Sequence, residues 1–235
     1  MKNILLLVLF YSIILLTTNS LSQTANPTRP SAADNAYLTE YGYSELEMGY
    51  AGNENGYNFP TLLKFSVFRK FEAGVLLTGL ITDNGNKTRI GNPGFQLKYQ
   101  PIKSDIWGAS IVGRITFDNS ASPIYTIYAA PSLQTKFVQI DFTAGTSLIN
   151  NSSVYENQFF YALAFTPKIK MPIGVYGEIF GEDFSGSNLV YVDLGISYPV
   201  SSSFVLDTAI TIGLNEGATD WIFQFGFTKT LFKFL

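Results

Sequence analysis

Apolar and polar residues alternate along most of the chain beyond residue 43. In one such stretch, Phe95 and Leu97 alternate with Gln96 and Lys98. Because successive side chains of a strand point to opposite faces, a period of two predicts strands with one apolar and one polar face. We find no stretch with convincing helical periodicity in this part of the chain.

Twelve segments show this alternation. They are 43–50, 59–68, 71–81, 92–100, 106–117, 124–135, 138–149, 159–169, 173–181, 189–198, 204–214 and 220–232. Most run about 9–12 residues, the length that a tilted strand needs to cross a bilayer.

The links between these segments alternate in length. Short links are 69–70, 101–105, 136–137, 170–172 and 199–203, and the mostly longer ones are 51–58, 82–91, 118–123, 150–158, 182–188 and 215–219. An up-and-down barrel has tight periplasmic turns at one end and longer external loops at the other. The pattern therefore predicts an all-β fold for residues 43–235, a transmembrane antiparallel up-and-down β-barrel of about 12 strands.

A soluble β-sandwich or lipocalin-like barrel would also alternate, and composition decides between the two classes. In a soluble fold the polar face meets water and should carry many charges. Here only 14% of residues are charged, against about 25% in typical soluble domains. Aromatic residues make up 15%. These values favour an apolar face in lipid and a lumen lined by small polar side chains.

The N-terminus carries the features of a secretory signal. Lys2 precedes an apolar run from residue 4 to residue 16, and Ser20-Leu21-Ser22 supplies small residues for cleavage. The run is too short for a membrane-spanning helix, which needs about 20 residues. We therefore predict a cleaved signal peptide at residues 1–22, export, and a place in the bacterial outer membrane.

Residues 23–42 precede the first predicted strand and show no periodicity. Tyr37 and Tyr41 within this stretch favour some packing. The stretch is either a mobile periplasmic tail or a plug that folds into the lumen, and the sequence leaves both open.

Charge and composition exclude several classes of function. The net charge of −3, without a basic run, argues against nucleic-acid binding. The chain contains no cysteine and no histidine, which excludes a Ser-His-Asp triad and the common zinc and haem sites. We expect no cofactor, no metal ion and no enzymatic activity.

Alternation places ten charged residues on the face opposite the lipid, so we predict that they line the lumen. They are Glu45, Glu47, Lys64, Glu72, Lys98, Arg114, Asp141, Glu178, Asp193 and Asp207. Charges on the lipid face near the midplane would cost about 2–4 kcal/mol for each Arg or Lys. These residues either pair with one another and fill the barrel, or line a path and select permeants; both interpretations remain open.

Four motifs lie before residue 100: residues 28–37 (TRPSAADNAY), 45–50 (ELEMGY), 60–65 (PTLLKF) and 94–99 (GFQLKY). They resemble one family of bacterial outer-membrane proteins, the transporters associated with the meta-pathway of phenol degradation, and the resemblance is densest in this part of the chain. It implies an outer-membrane barrel and passage of aromatic or other hydrophobic compounds.

The sequence as a whole predicts an outer-membrane channel or transporter for small molecules, hydrophobic or aromatic ones among them, that works by passive diffusion. The expected partners are the lipid bilayer, a small-molecule permeant and the outer-membrane assembly machinery. The alternative is a closed barrel with a structural or surface-interaction role.

Overall fold

A computed structural model describes residues 25–83, 85, 87–117, 122–151, 154–184 and 186–235. The predicted signal peptide, residues 1–22, lies outside the described residues. Among the residues described, no helix has the length and apolar character needed to span a membrane.

Fifteen strands are formed by the described residues, and all belong to one antiparallel sheet. They are β1 (Tyr43–Asn53), β2 (Gly56–Asn58), β3 (Thr61–Phe68), β4 (Phe71–Leu77), β5 (Thr82–Asp83), β6 (Thr88–Arg89), β7 (Pro93–Lys103), β8 (Trp107–Thr116), β9 (Ile124–Gln134), β10 (Val138–Asn151), β11 (Val154–Pro167), β12 (Gly174–Phe184), β13 (Ser187–Ser201), β14 (Phe204–Gly213) and β15 (Trp221–Lys233). The short strands β2, β5 and β6 belong to the first two long loops, and the other twelve strands form the wall.

The wall closes because the last strand pairs with the first. β15 lies antiparallel to β1, with Glu47 opposite Thr228 and Gly49 opposite Gly226. Each other wall strand pairs with its neighbours in chain order, as expected for an up-and-down barrel. The prediction of a twelve-stranded antiparallel barrel is confirmed.

Two of the long links are shorter than the alternation indicated. β10 and β11 remain paired through Leu148 opposite Asn157 and Asn151 opposite Val154, and β12 and β13 remain paired out to Phe184 opposite Ser187. Backbone hydrogen bonds do not require an apolar face, so pairing continues beyond the point where the apolar side chains end. The predictions of long loops at 150–158 and 182–188 were therefore wrong in their bounds.

The two faces of the wall have the reverse polarity of a soluble protein. Lys64 and Lys98 are 0% and 1% exposed, whereas Leu97 and Leu194 are 51% and 60% exposed. Both arrangements would be unfavourable in a protein surrounded by water. Burying a charge removes its hydration, and leaving a leucine exposed forgoes the free energy gained by burying its apolar surface. The apolar outer face is instead suited to a lipid bilayer.

Residues 25–42 lie against the inner face of the barrel. Ala33, Ala36 and Thr39 of this N-terminal segment are 4%, 0% and 1% exposed. The segment forms no strand, so its backbone N–H and C=O groups need other partners. Side chains of the wall supply many of them.

Candidate permeation site in the barrel lumen

A buried lysine joins the start of the N-terminal segment to the wall. Lys64 Nζ lies 2.5 Å from Glu45 Oε1 and 2.7 Å from Glu47 Oε1, and it donates to the backbone oxygen of Asn26 at 2.9 Å. Glu45 and Glu47 in turn accept the backbone N–H groups of Asn26 and Thr28, each at 2.8 Å. The lysine and the two carboxylates therefore fix the start of the segment, and the cluster contains one more acid than base.

Glu178 on β12 holds the next part of the segment, residues 31–33. Its carboxylate accepts the Ser31 hydroxyl at 2.9 Å and the backbone N–H groups of Ala32 and Ala33 at 2.8 and 2.5 Å. Three donors on one carboxylate form a strong anchor, because hydrogen bonds to a charged acceptor are about twice as strong as neutral ones. Ala33 also packs against Ala162 and Ala164 of β11.

Asp34 connects the segment to the opposite wall. It lies 2.8 Å from Lys98 Nζ and accepts the Tyr128 hydroxyl at 3.0 Å. Lys98 also donates to the backbone oxygen of Asn35 at 2.6 Å. The segment thus carries its own carboxylate to Lys98, whose cross-strand neighbour Glu72 instead accepts the backbone N–H of Thr39.

Asp141 reaches the segment through a hydroxyl. Ser132 donates its hydroxyl to Asp141 at 2.5 Å and accepts the backbone N–H of Ala36 at 2.7 Å. Burial, and next the nearby Asp141 carboxylate, raise the pKa of Tyr37 above its ordinary value, so the phenol stays protonated. The contact of Asp141 with the segment therefore runs through the Ser132 hydroxyl and the backbone N–H of Ala36.

Arg29, the one arginine of the N-terminal segment, lies against the wall where β1 pairs with β15. Gly49 of β1 and Gly226 of β15 face each other there and leave space for its guanidinium. A Cβ on Gly49 would overlap the Arg29 guanidinium, and a Cβ on Gly226 would lie 2.6 Å from Arg29 Nη2. Arg29 Nη2 lies 3.3 Å from Asp207 Oδ1 and donates to the backbone oxygen of Phe225 at 3.3 Å. The glycines are needed here for close approach rather than for their backbone freedom.

The remaining predicted residues have partners on the wall or in the segment. Glu72 accepts the backbone N–H of Thr39 at 2.7 Å, Arg114 donates to Gln96 at 2.9 Å, and Asp193 accepts the Tyr176 hydroxyl at 3.0 Å. Nine of the ten residues are buried and Arg114 is half-buried. Within the described residues, no three potential metal-ligating side chains are grouped. A role of these residues in lining a permeant path stays a prediction.

Two cavities lie along the same wall, one on each side of residues 31–33. The cavity toward the short turns has a volume of about 220 Å³ and is lined by Ser31, Ala33 and Ala164 together with wall residues 139, 141 and 174–176. The cavity toward the long loops has a volume of about 370 Å³ and is lined by Ala32, Ala162 and Phe180 among others. The turn that Glu178 anchors therefore stands between the two spaces.

The cavity toward the long loops is aromatic. Phe160, Phe180 and Tyr191 line it, and the rings of Phe180 and Tyr191 stack with centroids 5.0 Å apart. The sequence analysis did not single out these rings. Phe160 is two residues from Ala162 and Phe180 is two residues from Glu178, so alternation places both rings on the inner face. Pairing of the lumen charges was one of the two interpretations that the sequence left open, and Glu45 and Glu47 do pair with Lys64. Backbone N–H groups of the N-terminal segment are further partners of four of the seven lumen carboxylates, Glu45, Glu47, Glu72 and Glu178.

Solved structures share this architecture. The NanC porin matches with a TM-score of 0.62 at 10% identity, over 80% of this chain and 100% of that chain. An outer membrane channel from Pseudomonas putida F1 matches with a TM-score of 0.62 at 7% identity, over 88% and 99%. This chain has the fold of an outer-membrane channel. The CymD monoaromatic hydrocarbon channel matches with a TM-score of 0.52 at 10% identity, over 91% and 99%.

These structural neighbours are channels and porins rather than enzymes. No protein-family model matches the chain, and no curated protein matches it in sequence.

Proposed function

We propose that this protein is an outer-membrane channel for small hydrophobic or aromatic molecules, closed in its resting state by its own N-terminal segment. One observation carries the proposal: two cavities on the same wall lie on either side of the contact between residues 31–33 and Glu178, Ala162 and Ala164. Displacing this turn would join them into one path between the long-loop end and the short-turn end.

The cavity toward the long loops suits a single-ring compound. Its volume of about 370 Å³ is at the lower end of ligand pockets, which span about 300–1,000 Å³ and are mostly apolar with few polar groups. The similarity in fold to a monoaromatic hydrocarbon channel, and the sequence resemblance to the phenol meta-pathway transporters, support the same class of permeant.

The proposed mechanism is passive. The long loops face the outside and the short turns face the periplasm, which is the arrangement of outer-membrane barrels. A permeant enters the aromatic cavity, the turn at residues 31–33 leaves Glu178, and the permeant passes down its concentration gradient. The channel needs no cofactor, no energy source and no catalytic residue.

The test measures the effect of releasing the turn. Glu178→Ala removes the acceptor of three hydrogen bonds and should increase the open time in planar-bilayer recordings at least tenfold. Glu216→Ala, which removes an exposed acid from a long loop, is the matched control and should behave as wild type. Uptake of a neutral radiolabelled single-ring compound, in cells with an intact outer membrane, should rise in parallel.

A second variant tests the proposal in case Glu178→Ala does not fold. Deletion of residues 25–41 removes the occluding segment while it leaves every strand in place, and it should give steady openings. If folded protein of both variants stayed silent and gave no uptake, the channel proposal would fail, and the closed structural barrel would be the better account.

A further inference from the structure

Basic residues are unevenly distributed along the barrel sequence. Residues 171–228, which include strands β12–β14 and most of β15, contain seven acids and no Lys or Arg. In the lumen, Lys64 and Lys98 are neutralised by Glu45, Glu47 and Asp34, and Arg29 pairs with Asp207 of β14. Among the described residues, the other inner-face acids of β12 and β13, Glu178, Glu182 and Asp193, have no such ion pair, so this side of the lumen has an excess of negative charge.

One of these acids, Glu182, lies in the aromatic cavity. It lines the cavity together with Phe160, Phe180 and Tyr191, and no Lys or Arg is among the lining residues. Gln158 donates to Glu182 Oε2 at 2.7 Å, a neutral contact that orients the carboxylate without cancelling its charge. Arg114 lies over the ring of Tyr128, 6.0 Å from its centroid, and does not line the cavity.

Aromatic faces beside a carboxylate are the chemistry that recognises an organic cation. The face of an aromatic ring is negative and attracts an ammonium group within about 6 Å of its centroid. The carboxylate adds a direct charge interaction, and the partly enclosed site weakens screening by water. A neutral ring would gain only the apolar contact, and an anion would be repelled.

We propose that the aromatic cavity is a binding site for small organic cations, of the size of a quaternary ammonium group that carries one ring, and that Glu182 sets this preference. The inference names the permeant class of the proposed channel and so rests on that proposal. The cavity floor is Ala32 of the N-terminal segment, so a bound cation occupies the position immediately above the anchored turn.

Calorimetric titration of the folded protein in lipid nanodiscs tests the site with three probes of similar size: benzyltrimethylammonium, benzyl alcohol and benzoate. The cation should bind at least tenfold more tightly than the other two. This series uses wild-type protein and depends on no variant.

Glu182→Gln then tests whether the charge of Glu182, rather than the shape of the cavity, determines the preference for cations. Binding of the cation should weaken about tenfold, equivalent to about 1.4 kcal/mol, while binding of benzyl alcohol should not change. Asp183→Asn is the matched control, since it removes the same charge one residue away, from an exposed side chain. It should leave cation binding within twofold of wild type.

The inference is overturned if benzyl alcohol binds as tightly as the cation, if no probe binds to folded protein, or if the two variants weaken cation binding equally. Binding is measured at equilibrium and requires no conduction. A silent channel that binds the cation would therefore contradict the proposed function alone, and a conducting channel without cation preference would contradict this inference alone.

Discussion

Replacing Lys64 by methionine tests whether the lumen charges are a paired, buried network. Lys64 is completely buried and lies within 2.7 Å of two carboxylates. Removing one partner of a buried ion pair costs about 3–5 kcal/mol, because the remaining charge has no counter-ion. The N–H groups of Asn26 and Thr28 still support Glu45 and Glu47, so we expect the lower end, about 3 kcal/mol of unfolding free energy.

The assay is urea unfolding of the barrel in lipid vesicles, followed by the fluorescence of its two tryptophans, Trp107 and Trp221. Lys70→Met, in the exposed β3–β4 turn, is the control and should change little. The triple variant Lys64→Met/Glu45→Gln/Glu47→Gln should recover at least half of the loss. A single variant within about 0.5 kcal/mol of wild type, or a triple variant less stable than the single one, would refute the reasoning.

Three further outcomes are expected. Gly49→Val should expel the Arg29 guanidinium from the space beside Gly49 and Gly226 and increase channel opening in bilayer recordings. Gly113→Val, whose Cβ would meet no atom within 4 Å, is the control and should not change the opening. Equal behaviour of the two variants would contradict a specific role of the space that the two glycines leave for Arg29. The pKa of Asp83 should lie below its ordinary value because the Thr88 hydroxyl, and then a backbone N–H, donate to the carboxylate. NMR titration should show this pKa rising in Thr88→Ala, and the stabilisation of this loop should be present above pH 3.8 and decline as the pH falls below it. Mass spectrometry of protein purified from outer membranes should place the mature N-terminus at Gln23, and a retained residue 1 would show that the signal is not cleaved.

The barrel could be predicted because the patterns that indicate it involve residues close together in the sequence. A period of two, a bilayer-spanning length and alternating loop lengths are all read from neighbouring residues, and they gave strand bounds within a few residues for most of the wall. The exceptions are loops 150–158 and 182–188, where strands of polar residues extend beyond the apolar band. Alternation alone also gave the inner face, since Lys64 and Lys98 are buried where the pattern placed them.

The contacts of the N-terminal segment could not be predicted in the same way. Glu178 meets Ala32 across 146 positions of the chain, and no local period connects an irregular segment to a particular strand. The partners are backbone N–H groups, which every residue but proline has, so the sequence carries no specific signal for them. The space for the Arg29 guanidinium could not be predicted either, because it requires Gly49 and Gly226, which are far apart in sequence, to be opposite each other in the closing pair of strands.

A disulfide across the turn tests the central claim most directly. The natural chain contains no cysteine, so Ala33→Cys with Ala164→Cys, at two positions packed together, would introduce a single possible crosslink. In the Glu178→Ala background, oxidation should close the channel in planar-bilayer recordings, and reduction should restore the openings. Openings of unchanged size and frequency with the crosslink formed would contradict the claim that residues 31–33 occlude the path.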